Sequence, residues 1–473
     1  MAQRPAIVLI TADELRKDAL GCYGGRAVAT PNIDALAERA LCFEHAYAPS
    51  PWCMPSRCAI LTGRYPHNHG AYSNFRSNRL SPESPNLYNL LRQSGYCTSH
   101  VGKCHYAPVP YARTRPTETL TYDEFRDYYL SLGLDHLDLQ DDKQVSVWFS
   151  DDYSRELAAA GHLEAYRARV WDPTNQKVFT FPGPAEWHPD AWVGRKAAEW
   201  IRAYADLRPL FLWVSFSGPH FPFDPPEAYL ERVDDSLVGQ GAARNGEFDD
   251  PSRIHHRSFH GGGGIEGAGS APGRACKNYP DAYWHDLRKA YFANVALIDE
   301  QVGRVLAAVA DTFGGDAAVI FSADHGEMLG QHRLWGKNAC AYEDVLNVPL
   351  LVRLPEVAPR RESAQVALID LLPTCLRLAR AAVPAVDGRD LLELVGHGGR
   401  RYVFSEGEGF VAVSDGDCKY VRRMTSEGAF TEVFDLVEDP GEFVNVAGEP
   451  RYAARRADLE QAVLDLWMGR LLP

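Results

Sequence analysis

The run Cys53-Met54-Pro55-Ser56-Arg57, continued by Leu61-Thr62-Gly63-Arg64, sets a thiol at the mouth of a helix. Pro55 suits a first helical position and Gly63 a helix stop, so the pattern predicts a helix over 55–62 with Cys53 just ahead of it. Unsatisfied N–H groups at such an end, with the helix dipole, favour an anion beside Cys53. Arg57, one turn further on, adds a fixed positive charge. Other polar residues share one habit: each follows a short apolar run. Asp13 and Glu14 follow 6–10, Lys103 and His105 follow 98–101, His220 follows 210–216, and Asp324 and His325 follow 318–321. A divalent cation that takes oxygen ligands and tolerates imidazole could be shared by Asp13, Asp324, His325 and the group at position 53.

The elements that must position these residues follow from the same pattern. Apolar runs alternating with amphipathic helices predict an α/β fold with a large, mostly parallel central sheet and helices on both faces. Active sites of such sheets lie beyond the carboxyl ends of the strands, where all these polar groups fall. Apolar residues at helical spacing predict helices over 284–310, 85–94 and 190–204. After Leu372-Pro373-Thr374 the character changes. Short antiparallel strands are expected at 402–405, 410–414, 418–422 and 430–436, with a turn at Asp415-Gly416 and a closing helix over 453–467. Residues 1–375 are therefore expected to form a catalytic domain, and 376–473 a smaller C-terminal α+β subdomain with a short antiparallel sheet. Gly-rich residues 230–280 read as a surface insertion and a candidate lid. Its His255, His256 and His260 lack the rigid scaffold that a metal site needs.

The Cys53 run resembles the signature of the type I, formylglycine-dependent sulfatases of the alkaline phosphatase superfamily. Gly102-Lys103-Cys104-His105, Gly218-Pro219-His220 and Trp335-Gly336-Lys337 match further elements of that family, as does the run Phe434 to Asn445. The resemblance implies that Cys53 is oxidised by a maturation enzyme to formylglycine, whose hydrate supplies the nucleophilic oxygen. It implies one divalent cation (Ca²⁺ or Mn²⁺, with Mg²⁺ as a third choice) on Asp13, position 53, Asp324 and His325, with Glu14 a less certain ligand. It assigns Lys103 to the nucleophile and sulfate, His105 to the base that frees sulfate, and His220 and Lys337 to the leaving oxygen and the sulfate. Arg57 belongs with this catalytic set, and Asn74 aligns loosely with an asparagine that contacts sulfate. Glu14 departs from the pattern, because most sulfatases have a second Asp there and phosphonate monoester hydrolases a Gln.

The implied reaction is hydrolysis of a sulfate monoester. A phosphonate monoester or phosphodiester hydrolase of the same superfamily is the alternative, and a noncatalytic anion-binding protein the rival from another class. Composition narrows the partners. A formal charge of -14 over 473 residues argues against general affinity for nucleic acid or acidic membranes. A small-molecule sulfate ester and a formylglycine-generating enzyme are the expected partners, with a homo-oligomer left open. No secretory signal and no membrane span are visible, and the ten cysteines lack the density of a disulfide scaffold. A cytoplasmic location is expected.

Overall fold

The computed structural model describes residues 4–469 apart from 75–77, 109–119, 122, 145–148, 173, 176, 261–274, 338–339 and 426–427. The expected parallel sheet is its centre. Eight strands lie in the order Arg360–Glu362, Leu41–Phe43, Leu350–Arg353, Ala318–Ala323, Ile7–Asp13, Leu210–Pro219, Cys97–Gly102 and His136–Leu139. From Ala318–Ala323 through to His136–Leu139 every neighbouring pair is parallel. Leu350–Arg353 runs antiparallel between its two neighbours.

Strands covered on both faces should be apolar almost throughout, because neither side meets water. Leu210–Pro219 reads LFLWVSFSGP and all ten residues are buried. One exception serves the site: Ser215 Oγ receives hydrogen bonds from Thr11 and Arg57. The helices Asp281–Phe313 and Pro189–Ala203 pack on each other and against Leu210–Pro219. Helices Cys53–Thr62, Leu87–Gln93 and Leu371–Leu378 form a second packed group. No helix among the described residues is long and apolar enough to cross a membrane.

The C-terminal sheet is antiparallel, with strands Val403–Gly407, Phe410–Ser414, Cys418–Thr425 and Gly428–Asp435 in sequence order. Its side chains alternate between two apolar layers, as the strand period requires. Val411, Val413, Tyr420 and Val433 meet Leu459, Ala462 and Val463 of the closing helix Ala453–Gly469. Phe410, Ala412, Val421 and Phe434 pack instead with Trp52, Tyr342, Val345 and Leu346. Trp52 meets Phe410 edge-on, with ring centroids 6.1 Å apart. A Cβ at Gly407 would fall 1.8 Å from the Trp52 ring, so this small sheet grips the residue that precedes Cys53. The helix Leu371–Leu378 runs through residue 375.

Within 230–280, Val238, Phe248, Ile254 and Cys276 are buried, and Arg253 Nε bonds Glu432 of the small sheet at 2.5 Å. The run Gly261-Gly262-Gly263-Gly264, with Gly267 and Gly269, lies outside the described residues.

Candidate active site

The four central parallel strands end side by side, and each delivers a polar residue to one place. Ala12 is paired with Ala323 on one side and Phe216 on the other, so Asp13 and Asp324 leave adjacent strands at the same level. Gly102 is paired with Ser215, which brings Lys103 to the same rim. Gly102 has φ 105, and a Cβ there would fall 2.0 Å from the Ser215 carbonyl oxygen, so the strand can end this way only at glycine.

The helix that carries the thiol spans Cys53–Thr62 and ends at Gly63, which has φ 65. It starts two residues before Pro55, so Cys53 sits within its first turn and not ahead of it. Proline is tolerated in a first turn because its missing N–H has no intrahelical partner there. Trp52 supplies no side-chain cap. Asn74 supplies one from outside, its Oδ1 accepting the Met54 N–H at 3.0 Å.

Around the Cys53 sulfur, Lys337 Nζ lies at 3.0 Å, His325 Nε2 at 3.2 Å and Asp13 Oδ1 at 3.6 Å. Arg57 is wholly buried and bridges both acids, with Nε 2.8 Å from Asp324 Oδ2 and a terminal nitrogen 3.2 Å from Asp13 Oδ2. It also donates to the Lys103 carbonyl at 2.9 Å and to Ser215 Oγ at 2.7 Å. Lys103 Nζ stands 2.6 Å from Asp13 Oδ2 and 2.7 Å from Asp142 Oδ2. His220 donates its backbone N–H to the Asp13 carbonyl at 3.2 Å. Its Nδ1–H donates to the Phe221 carbonyl at 2.6 Å, and its Nε2 lies 3.5 Å from Glu14 Oε2. His105, at φ 53, is fixed through its backbone N–H on Asp141, and both its ring nitrogens are buried without a hydrogen-bond partner among the described residues.

Burial opposes the charge on Asp13, but Lys103, Lys337, His220 and Arg57 overcome it and hold the carboxyl well below its ordinary range. Burial and the Asp13 charge push the Cys53 thiol up to about 12 against the pull of Lys337 and Lys103. An unmodified Cys53 is therefore a protonated thiol, a poor nucleophile and a poor anion. Burial and Lys103 hold His105 well below its usual value, and burial and Lys337 do the same to His220, so both imidazoles are neutral. Lys337 stays charged, raised by Cys53 and Glu14 despite its burial.

A metal ion fits this donor set. Asp13, Cys53, Asp324 and His325 each offer one ligand atom, and these atoms lie within 4.8 Å of one another. His325 donates Nδ1–H to the Gly326 carbonyl at 3.0 Å, which leaves the Nε2 lone pair facing the sulfur. A backbone partner of this kind orients a ligating histidine. Glu14 falls into a second group, with Asp13 and His220. Burial raises its carboxyl well above the usual range, Lys337 at 3.2 Å lowers it, and the buried neighbour Glu327 raises it further.

The structure thus brings Cys53, Arg57, Lys103, His105, His220, Lys337, Asp13, Glu14, Asp324 and His325 into one buried cluster, and places Asn74 on the backbone of its central helix. The sequence reading missed Ser215, Glu327 and the acids Asp141 and Asp142. Ser215 alone carried a signal, as a polar residue inside a largely apolar strand. His67 stands apart, paired with Glu406 at 2.8 Å.

The family model described as Sulfatase matches residues 5–381, and one described as N-sulphoglucosamine sulphohydrolase, C-terminal, matches 330–468. The chain is 29% identical over 478 residues to "Uncharacterized sulfatase YidJ" of Escherichia coli (strain K12), covering 98% of this chain and 87% of that protein. It is 26% identical to an arylsulfatase of Clostridium perfringens (strain 13 / Type A), covering 99% and 95%. Among solved structures, the phosphonate monoester hydrolase of Agrobacterium radiobacter superposes with a TM-score of 0.79 at 24% identity, covering 98% of this chain and 96% of that one.

Proposed function

This chain belongs to the sulfatase family and is a sulfuric ester hydrolase, and from that premise we propose that it cleaves a sulfate monoester to an alcohol and inorganic sulfate with an oxygen nucleophile made from Cys53. The observation that carries this reading is the convergence of Lys337 Nζ at 3.0 Å, His325 Nε2 at 3.2 Å and Asp13 Oδ1 at 3.6 Å on one buried sulfur. In this reading Cys53 becomes formylglycine through a maturation enzyme, and Sγ marks the place of the hydrate oxygens. Asp13, position 53, Asp324 and His325 would hold one divalent cation, Ca²⁺ or Mn²⁺ ahead of Mg²⁺, which as a Lewis acid activates a hydroxyl and offsets sulfuryl charge.

The remaining work falls to the chain's own residues. Lys103 and Lys337 stay charged and face the charge that develops on the sulfuryl oxygens. His220 keeps its Nδ1 proton on the Phe221 carbonyl and turns the lone pair of Nε2 toward the site, 3.5 Å from Glu14 Oε2, so that the raised Glu14 carboxyl gives its proton to Nε2, which passes it to the departing alcohol oxygen. The neutral His105 ring, free of hydrogen bonds among the described residues, suits the base that lets sulfate leave position 53. Arg57 bridges Asp13 and Asp324 and holds both in place. Asn74, whose Oδ1 holds the Met54 N–H, would take the sulfate contact that the resemblance gives it. Ten free cysteines support a reducing, cytoplasmic setting.

Glu14 favours a second reading, phosphonate monoester or phosphodiester hydrolysis in the same pocket, because its carboxyl is shared among Lys337, His220 and Glu327. Comparing kcat/KM on 4-nitrophenyl sulfate, a 4-nitrophenyl phosphonate and a bis-4-nitrophenyl phosphate decides between them. Higher efficiency on the sulfate is expected, and higher efficiency on either phosphorus ester would overturn the sulfur assignment.

A further inference from the structure

Three consecutive residues just beyond the edge strand His136–Leu139 are each tied to a different part of the reaction centre. Asp141 Oδ1 accepts the backbone N–H groups of both Cys104 and His105 at 2.9 Å. Asp142 Oδ2 takes the Lys103 ammonium at 2.7 Å, while its Oδ1 accepts the Gln144 N–H at 2.8 Å. Lys143 Nζ donates to Asp224 Oδ1 at 2.7 Å and to the Pro222 carbonyl at 3.3 Å, in the segment that follows His220. Tyr166 and His188 also hold Asp224, at 2.6 Å and 3.4 Å. Asp141 and Lys143 are fully buried and Asp142 is 5% exposed, so none of these contacts is diluted by water.

Resting on the sulfuric ester hydrolase reading, we infer that Asp142 is a positioning residue that divides the Lys103 ammonium between itself and Asp13, leaving Asp13 free to take a divalent cation, while Asp141 and Lys143 fix the backbones that carry His105 and His220. Lys103 has two carboxylate partners at nearly equal distances, 2.6 Å to Asp13 and 2.7 Å to Asp142. If the Asp142 charge is removed, Asp13 becomes its sole anionic partner among the described residues. The ammonium then settles fully on Asp13 Oδ2 and competes with a cation for the carboxylate that the cation needs. Asp142 therefore acts on the reaction through Lys103 and on the metal through Asp13, without touching either substrate or ion. Lys143 acts more remotely, by pinning the Pro222 carbonyl two residues beyond His220.

The test is calorimetric titration of the full-length protein with Mn²⁺ alone, beside kinetics on 4-nitrophenyl sulfate. Asp142→Asn keeps shape and an acceptor while removing the charge. Losing such an outer partner typically costs about 10- to 100-fold in metal affinity or activity, and a loss of that size is expected in Mn²⁺ affinity and in kcat, with KM changing less. Asp142→Glu should recover part of both losses. Lys143→Met should bind Mn²⁺ like the parent and lose rate mainly on esters of weakly acidic alcohols, where the His220 proton matters most. An Asp142→Asn protein that melts lower but binds Mn²⁺ within about twofold of the parent and keeps its kcat overturns the inference, since a merely structural acid behaves that way. Weakened Mn²⁺ binding in a protein whose parent hydrolyses no sulfate ester would keep the inference and sink the activity instead.

Discussion

Arg57→Met is the sharpest perturbation of the site's electrostatics. The guanidinium is fully buried and lies 2.8 Å from Asp324 and 3.2 Å from Asp13. Methionine retains the apolar stem and removes the charge. Asp13 keeps Lys103 at 2.6 Å, but Asp324 loses its one lysine or arginine partner among the described residues. Breaking a buried pair from one side costs about 3–5 kcal/mol, because the surviving charge is left in a poor solvent. An unfolding entropy of about 2.1 cal/mol/K per residue gives roughly 1 kcal/mol/K for a chain of 473 residues. The melting temperature in chelator should therefore fall by about 3–5 °C. Excess Mn²⁺ or Ca²⁺ should return more of that loss in the variant than it adds to the parent, because the ion restores positive charge between the same carboxylates. Scanning calorimetry with chelator and with each ion measures both numbers. An unchanged melting temperature in chelator, with an equal response to ion in both proteins, would refute the reasoning.

Three further outcomes follow from the geometry. His220→Asn should slow hydrolysis of alkyl sulfates by about 10²–10⁴-fold, the usual worth of a proton donor, and 4-nitrophenyl sulfate far less; equal losses on both would remove His220 from the leaving oxygen. Burial and Arg57 hold His100 at about 3, between Tyr88 and the Lys103 carbonyl. The stability tied to its neutral form is complete above the unfolded value of about 6.5 and is lost as pH falls from there toward 3, about 1.4 kcal/mol per unit. Urea melts of His100→Gln should accordingly fall less steeply than the parent between pH 7 and pH 5, and parallel slopes would contradict the assignment. Gly102→Ala forces a Cβ to within 2.0 Å of the Ser215 carbonyl at a φ of 105 and should cost at least about 1–3 kcal/mol in the same melts; parental stability would mean that the strand end is not built as described.

What the sequence disclosed of this site is what strands dictate. Asp13, Lys103, His220 and Asp324 were legible because each follows an apolar run, and runs buried on both faces end together at one rim of a parallel sheet. The helix start was misplaced by two residues because proline was read as the first helical residue, whereas any position in the first turn tolerates it. Asp141, Asp142 and Lys143 left no such trace. They follow a four-residue edge strand, HLDL, that carries no signature, and their role exists only through contacts with residues 36 to 81 positions away. The antiparallel strand Leu350–Arg353 was equally hidden, because direction in a sheet is set by pairing and not by local pattern.

The central claim is that position 53 acts as an oxidised cysteine. Mass spectrometry of the peptide spanning Cys53, from protein made alongside a formylglycine-generating enzyme, tests it most directly when the same preparation is assayed for sulfate release. The account predicts exchange of the thiol-bearing CH2SH for an aldehyde, turnover that rises in proportion to the converted fraction, and a folded but inactive Cys53→Ala variant. Full activity in protein whose position 53 remains a free thiol would contradict it.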